Sequence, residues 1–430
     1  MKKSILAATA VAATITAFLS SGAFAKTTII HAGQLLAVPG EKPLPERSIF
    51  IEDGVITDVR EGYVEEGTAS VIDLKDSFVM PGLMDMHVHL QGELGPGNDS
   101  DALKMSKPLM QMRSLMYAMR TLRAGFTTVR DVGSSPQEMY AMRDAINNGW
   151  IDGPRIVAAG GVGITGGHAD ISGVSPELMA FHDQENKTVC DGPYDCRRAT
   201  RHAIKYGADL IKITSTGGVL TDRATGTGQQ MEMDELKEVV QSAKRMGRKV
   251  ASHAHQEAGI IAALEAGVDS IEHGSYAGPS SHKLFKRSGA YLVPTLLAGD
   301  TVVQMAKNTE ILSEAQKEKA IRVGSDMKGN FAKAVDAGVN IAFGTDSGVS
   351  KHGENAREAV LMHEAGMDSM AILKSATVNA ADLLGMSDTI GTLEVGKQAD
   401  IIATDGSPLA DVEELLDVDF VMKGGKVFVQ

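Results

Sequence analysis

Two imidazoles stand two positions apart in Asp85-Met86-His87-Val88-His89. On a β-strand successive side chains alternate, so His87 and His89 share one face. Neutral imidazoles are common ligands of zinc and related divalent ions, and two side by side are half of such a site. Two ordinary histidines in an exposed hairpin would give the same pair, so the pair alone decides nothing. Three more segments end apolar runs on the same kinds of donor: Ala251-Ser252-His253-Ala254-His255, Ser270-Ile271-Glu272-His273-Gly274 and Ile341-Ala342-Phe343-Gly344-Thr345-Asp346. Lys212 lies inside Leu210-Ile211-Lys212-Ile213-Thr214. A buried ammonium there is costly without a partner and would repel cations. Condensed with carbon dioxide, the same residue carries a carboxylate able to join two metals.

These residues need a scaffold that gathers distant strand ends. From residue 81 onward the sequence alternates short apolar runs with helical patterns, the signature of βα units and a parallel sheet. Eight candidate strands end near His89, Asp131, Gly160, Thr214, His253, His273, Thr295 and Asp346. Helical patterns run over Lys107 to Ala124, Met233 to Met246 and Glu257 to Ala266. Eight such units match a TIM-type (β/α)8 barrel, typically ~250 residues, whose C-terminal strand ends share one mouth. An open doubly wound sheet is the rival, but no Gly-x-Gly-x-x-Gly opens a first βα turn. Residues 26–80 and 385–430 are strand-and-turn sequence, with Asp53-Gly54 and Gly424-Gly425 as hairpin signals. The expected organisation is a small β-sandwich domain built from both chain ends (26–80 and 385–430) around an α/β barrel over 81–384.

The 430-residue chain carries a net charge of −13, which argues against nucleic acid or an anionic membrane as a partner. Hydrophobic residues at 43% and charged residues at 23% are those of an ordinary folded protein. Lys2 and Lys3, the apolar run Ile5 to Leu19 and Ala23-Phe24-Ala25 read as a signal peptide over 1–25, cleaved after Ala25. Export to a periplasmic or secreted location is expected, with no membrane association after its removal. The two cysteines, Cys190 and Cys196, are close enough in sequence for a local disulfide, which the spacing leaves open.

Taken together, Pro81-Gly82-Leu83-x-Asp85-x-His87-x-His89, Lys212, His253, His273 and Asp346 resemble the amidohydrolase superfamily. Gly391-Thr392-Leu393-Glu394-Val395-Gly396-Lys397-Gln398-Ala399-Asp400 resembles its C-terminal β-domain signature. Gly166-Gly167-His168, Cys190-Asp191-Gly192-Pro193 and Ile271-Glu272-His273-Gly274 resemble the imidazolonepropionase-related branch, with its Xaa-Pro dipeptidases, metallocarboxypeptidases and ochratoxin A hydrolases. The resemblance implies two divalent ions, zinc foremost. His87, His89 and Asp346 would hold one, His253 and His273 the other, with N6-carboxylated Lys212 between them. His255 is left out as a neighbour of His253. A hydroxide shared by the two ions would attack the amide. Asp346 would carry the proton to the leaving amine, His168 would donate to the carbonyl oxygen or a substrate carboxylate, and Arg223 would bind that carboxylate. The implied substrate is a small peptide or N-acyl amino acid with a free C-terminal carboxylate; a homo-oligomer is left open. Two alternatives are a cyclic-amide hydrolase and a non-catalytic scaffold on the same fold.

Overall fold

The structure is a computed structural model, and it describes residues 27–96, 101, 104–221 and 226–430. The expected signal peptide over 1–25 and Arg223 lie outside the described residues. Four strands open the chain: β1 Thr28–Leu35, β2 Leu44–Glu52, β3 Val55–Glu61 and β4 Ser70–Pro81. Asp53 and Gly54 join β2 to β3 with φ of 49° and 80°, the two left-handed positions of a tight hairpin.

Eight parallel strands then alternate with helices: β5 Leu83–Val88, β6 Phe126–Asp131, β7 Arg155–Ile164, β9 Leu210–Thr214, β10 Lys249–Ala254, β11 Ser270–His273, β12 Tyr291–Val293 and β13 Asn340–Ile341. The two-residue β8, Val189–Cys190, sits beside β7 at the sheet margin. β14 Ile401–Thr404, β15 Phe420–Lys423 and β16 Lys426–Val429 close the chain.

The last three strands extend the first four into one seven-stranded sheet, joined where β14 pairs antiparallel with β4. Both chain ends thus build one sheet, as expected. Its hydrogen bonding runs continuously in the order β16-β15-β14-β4-β1-β2-β3. Ile30, Ile49, Val79, Ile401 and Phe420 share its apolar core.

The parallel strands are buried on both faces, which is why they read as unbroken apolar runs. Ile211 and Ile213 join the main core under the helices, whereas Leu210 packs with Val132, Ala159 and Ala251 on the concave side. Alternation therefore sends Lys212 to the concave side as well. The sheet curls. Met86 N donates to Phe343 O at 2.8 Å, Asp346 N to His87 O at 2.8 Å and His89 N to Ser347 O at 2.7 Å. These bonds tie β5 to the segment following β13, the curvature a TIM-type barrel needs.

Regular pairing stops at Ile341, short of the expected end near Asp346. The backbone there turns to other partners. Phe343 N donates to Ser375 O, and Thr345 N to the buried carboxylate of Asp85. The helices start and stop where caps direct. Ser106 caps Lys107–Arg123 through Leu109 N, with Pro108 in the first turn. Ser313 and Gln316 form a capping box on Glu314–Asp336. Cys190 and Cys196 are joined by a disulfide.

Candidate metal centre and active site

The C-terminal strand ends surround a cavity of about 950 Å³. His87, His89, His168, Lys212, His253, His255, His273 and Asp346 all reach it. Sequence positions far apart are thus brought together. His87, His89 and Asp346 present ligand atoms within 4.8 Å of one another, and so do His253, His255 and His273. His255, set aside in the sequence reading, belongs spatially to the second group.

Local backbone geometry makes this convergence. Glu272 is in register with His253, so both face inward. Alternation would turn the next residue, His273, outward. His273 instead adopts φ 70°, and Asp346 and Thr295 adopt φ 60° and 52°. Left-handed backbone is costly for non-glycine residues and concentrates at functional sites. At His273 it allows the ring to reach the cavity although the preceding Glu272 already points inward. Glycines admit the rings: a Cβ on Gly133 would lie 2.4 Å from the His89 ring, and one on Gly218 2.1 Å from the His168 ring.

Each imidazole is fixed from behind. His87 Nδ1 hydrogen-bonds Glu272 Oε2 at 2.8 Å, leaving Nε2 toward Asp346. Glu272 is held in turn by Arg130 Nη2 at 2.8 Å and Ser270 Oγ at 2.5 Å. His89 Nδ1 meets Gly133 O at 3.1 Å, and His273 Nδ1 meets Thr295 Oγ1 at 2.8 Å. His255 Nδ1 meets Ser275 Oγ at 2.8 Å, and His253 Nε2 meets Gly217 O at 3.2 Å. Such backing sets the tautomer and aim of a metal-binding histidine. His168 Nδ1 bonds Thr221 Oγ1 at 2.6 Å, and its ring lies 4.4 Å from that of His253.

Burial, followed by the Lys212 cation, lowers His87 and His168 to about 4. Burial and the neighbouring rings hold His253 and His273 well below the ordinary imidazole value. Burial also depresses Lys212. Asp346 stays below the usual carboxylate value despite its burial, because His87 and His89 face it. Glu272, equally buried, is brought down to about 2 by Arg130 and His87.

Neutral imidazoles and ionised carboxylates are the protonation states that metals require. Asp346 Oδ1 lies 3.0 Å from His89 Nε2 and 3.5 Å from His87 Nε2. It is buried and accepts no well-formed hydrogen bond. This donor set fits a divalent ion. Sequence reasoning gave no role to Glu272, Arg130, Ser270 or Thr295. The first of these sits next to His273, but its partner His87 is 185 residues away.

Residues 78–428 match the amidohydrolase family. The chain belongs to that family. Within it the chain falls in the Xaa-Pro dipeptidase and ochratoxinase branch. It is 32% identical to ochratoxinase of Aspergillus niger, over 94% of this chain and 87% of that protein. A crystal structure of a Xaa-Pro dipeptidase, with methionine bound in its active site, superposes with a TM-score of 0.88 at 40% identity. That match covers 94% of this chain and all of the dipeptidase. The A. niger ochratoxinase crystal structure superposes at 0.81, covering 94% and 96% of the two chains. More distant family relatives include a 5-methylthioadenosine/S-adenosylhomocysteine deaminase of Thermoanaerobacter pseudethanolicus, 26% identical over 92% of each chain. The family's relatives are hydrolases of small molecules, and the chain is accordingly a hydrolase with candidate metal-binding groups.

Proposed function

We propose that this protein is a dinuclear metal-dependent amidohydrolase that cleaves an amide beside a free C-terminal carboxylate. The observation that carries this reading is the convergence of two three-residue ligand groups on one cavity, with Lys212 facing the same space. When bound, two divalent ions, zinc foremost, would polarise the scissile carbonyl and lower the pKa of a water. His87, His89 and Asp346 would hold one ion; His253 and His273 would hold the second. Lys212 is 8% exposed, and no hydrogen bond or ion pair reaches its amine among the described residues. Burial favours the neutral amine, whose condensation with carbon dioxide and loss of one proton would give a carbamate, an anion that could serve both ions.

Asp346 is the proton carrier. Its Oδ1 takes the proton of the attacking water and delivers it to the leaving amine nitrogen. His168, kept neutral and aimed by Thr221, donates to the carbonyl oxygen or the substrate carboxylate. Arg223 is assigned to that carboxylate because a guanidinium fork matches it. The ochratoxinase and Xaa-Pro dipeptidase relatives support amide substrates of this kind, and the dipeptidase's bound methionine supports a free amino acid product.

The proposal extends to organisation. The curled sheet over 81–384 is a (β/α)8 barrel beside a small β-sandwich domain built from 26–80 and 385–430. The chain is exported after cleavage at Ala25, and the Cys190–Cys196 disulfide supports an oxidising destination.

The test compares free-acid substrates with their C-terminal amides. A site built for a carboxylate leaves its own donors unpaired when that group is missing. Amidation is expected to lower kcat/KM more than tenfold. Equal rates on acid and amide would sink the carboxylate reading and favour the cyclic-amide alternative.

A further inference from the structure

The loop that follows β9 meets the candidate centre at three points. His253 Nε2 meets Gly217 O at 3.2 Å. Gly218 lies against the His168 ring, where a Cβ would come within 2.1 Å of it. Thr221 Oγ1 meets His168 Nδ1 at 2.6 Å. The first part of this loop is fixed by its own return: Gly217 N donates to Gly228 O at 2.9 Å, and Thr216 bridges to Gln229. The part that touches His168 is fixed from elsewhere. Gln316 Nε2 donates to Leu220 O at 2.7 Å, and Lys319 Nζ donates to Gly218 O at 3.2 Å and to Thr221 O. Both side chains come from the helix Glu314–Asp336, which lies between β12 and β13. These are the seventh and eighth parallel strands and β9 is the fourth, so the bonds join segments from opposite sides of the curled sheet.

Lys319 is 5% exposed. Lysine is seldom buried this far unless its ammonium is paired, because desolvating the charge is costly. A methionine would span a similar length without that cost, so packing does not explain the residue. What the ammonium supplies is several N–H donors on one atom. It reaches two carbonyls that bracket Val219 and Leu220. One belongs to the residue against the His168 ring, the other to the residue bonded to Nδ1. Lys319 does not line the cavity, whereas His168 does. With Nδ1 taken by Thr221, Nε2 is the ring nitrogen left for a substrate. For Nε2 to donate, Nδ1 must accept the Thr221 hydroxyl proton.

Resting on the proposed amidohydrolase reading, in which His168 donates to the substrate, we infer that Lys319 is a positioning residue for His168. Its ammonium clamps Gly218 O and Thr221 O, which holds the ring against Gly218 and keeps the Thr221 hydroxyl on Nδ1. Loss of the clamp lets that stretch of the loop shift, and a donor displaced by about an ångström can lose ~10²-fold of its effect. Lys319 thus acts through His168, which separates this role from that of a tie that only stabilises the fold.

The experiment uses the full mature chain loaded with zinc and the N-benzoyl derivatives of proline, leucine, phenylalanine and lysine. Released amino acid is measured, and the fastest substrate serves for the variants. Lys319→Met is expected to lower kcat/KM about tenfold or more, and Thr221→Val, which leaves Lys319 in place, to lower it similarly. Adding Lys319→Met to His168→Ala is expected to cost less than about twofold beyond His168→Ala, because residues that act through one another do not add. Lys319→Gln, which keeps an N–H donor, enters the same cycle if Lys319→Met does not fold. A second readout needs no turnover. Long-range proton–nitrogen spectra of protein labelled with heavy nitrogen in its histidines report the His168 tautomer, its signals identified by their loss in His168→Ala. The unsubstituted protein is expected to carry the proton on Nε2, and Lys319→Met to show a mixture of tautomers. A changed tautomer with no hydrolysis of any of the four substrates would keep the positioning role and reject the amidohydrolase reading. An unchanged His168 spectrum would overturn the positioning role and leave that reading standing. So would a Lys319→Met loss as large in the His168→Ala background as without it.

Discussion

The two halves of the candidate centre are backed by opposite chemistry. Behind His87 stands Glu272, fully buried yet held anionic near 2 because Arg130 and His87 outweigh its desolvation. Behind His273 stands the neutral hydroxyl of Thr295, and behind His255 that of Ser275. A second buried carboxyl, Glu358, caps the helix after Thr295 by accepting from Leu296 N at 2.9 Å and Leu297 N at 2.7 Å. No cation pairs with it among the described residues, and burial pushes it up to about 8. The difference is a guanidinium: two buried glutamates in one scaffold settle on different protonation states, one anionic and one neutral, according to whether an arginine stands beside them. On the proposed dinuclear reading, the first half would bring its own negative charge, from Asp346 and Glu272, whereas the second offers neutral imidazoles and would depend on a carboxylated Lys212 for any anion.

The largest expected effect tests that dependence. Lys212→Ala should abolish most activity, and elemental analysis should show metal falling from two equivalents toward one. A short carboxylic acid is expected to restore part of the rate by supplying the missing oxygens. Near-normal activity and two equivalents of metal in the variant would reject the carbamate.

Asp346→Asn comes next. It keeps the shape and removes the charge and basicity of the first half. A positioned acid–base group contributes ~10²–10⁴ to the rate, so kcat should fall by at least that much with the fold intact. A small loss in folded, metal-loaded protein would assign the proton transfer elsewhere.

A smaller pair of effects separates the backing groups. Replacing partners of metal-binding histidines lowers metal affinity by ~10–100-fold. Charge-assisted hydrogen bonds are about twice as strong as neutral ones. Glu272→Gln should therefore sit near the top of that range and Thr295→Val near the bottom, read by metal competition with a chelator. The reverse order would show that charge behind the imidazole does not distinguish the two halves.

What the sequence made legible were residues whose placement follows from their own strand. His87, His89, Lys212 and His253 obey alternation on strands bounded by turn signals, and the eight-unit pattern brings their ends to one mouth. The helix limits also lay close, at Lys107–Arg123, Met233–Arg245 and Glu257–Ala266, because caps and breakers are local. Partnerships set by register across strands were not legible. Glu272 reaches His87 and Arg130 only because β5, β6 and β11 curl around one interior. His255 joins its group across the turn at Ser275, and left-handed φ at His273 overrides the alternation that would have pointed it away. Arg223 rested on loop chemistry alone, without a periodic element to place it.

The smallest expected effect concerns stability and the two glutamates. Glu358 in the folded chain titrates near 8, above the ordinary value of 4.5. The folded state therefore holds a proton that the unfolded chain releases at lower pH. Its contribution is full below about pH 4.5 and is lost as pH rises through 8, with a slope of at most ~1.4 kcal/mol per pH unit. Glu358→Gln removes the titration and retains one acceptor for the helix N-terminus. Its Tm should change less than that of the wild type between pH 5 and pH 8. Glu272 has the opposite sign. Its folded value is depressed, so its contribution is present above about 4.5 and is lost as pH falls toward 2. Glu272→Gln should consequently leave the slope between pH 5 and pH 8 unchanged while weakening the protein throughout that window. Thermal melts of both variants at pH 5, 6.5 and 8 check the pair. Parallel wild-type and Glu358→Gln profiles would mean that Glu358 does not carry the proton, and the contrast between the two halves would then rest on Arg130 and Glu272 alone.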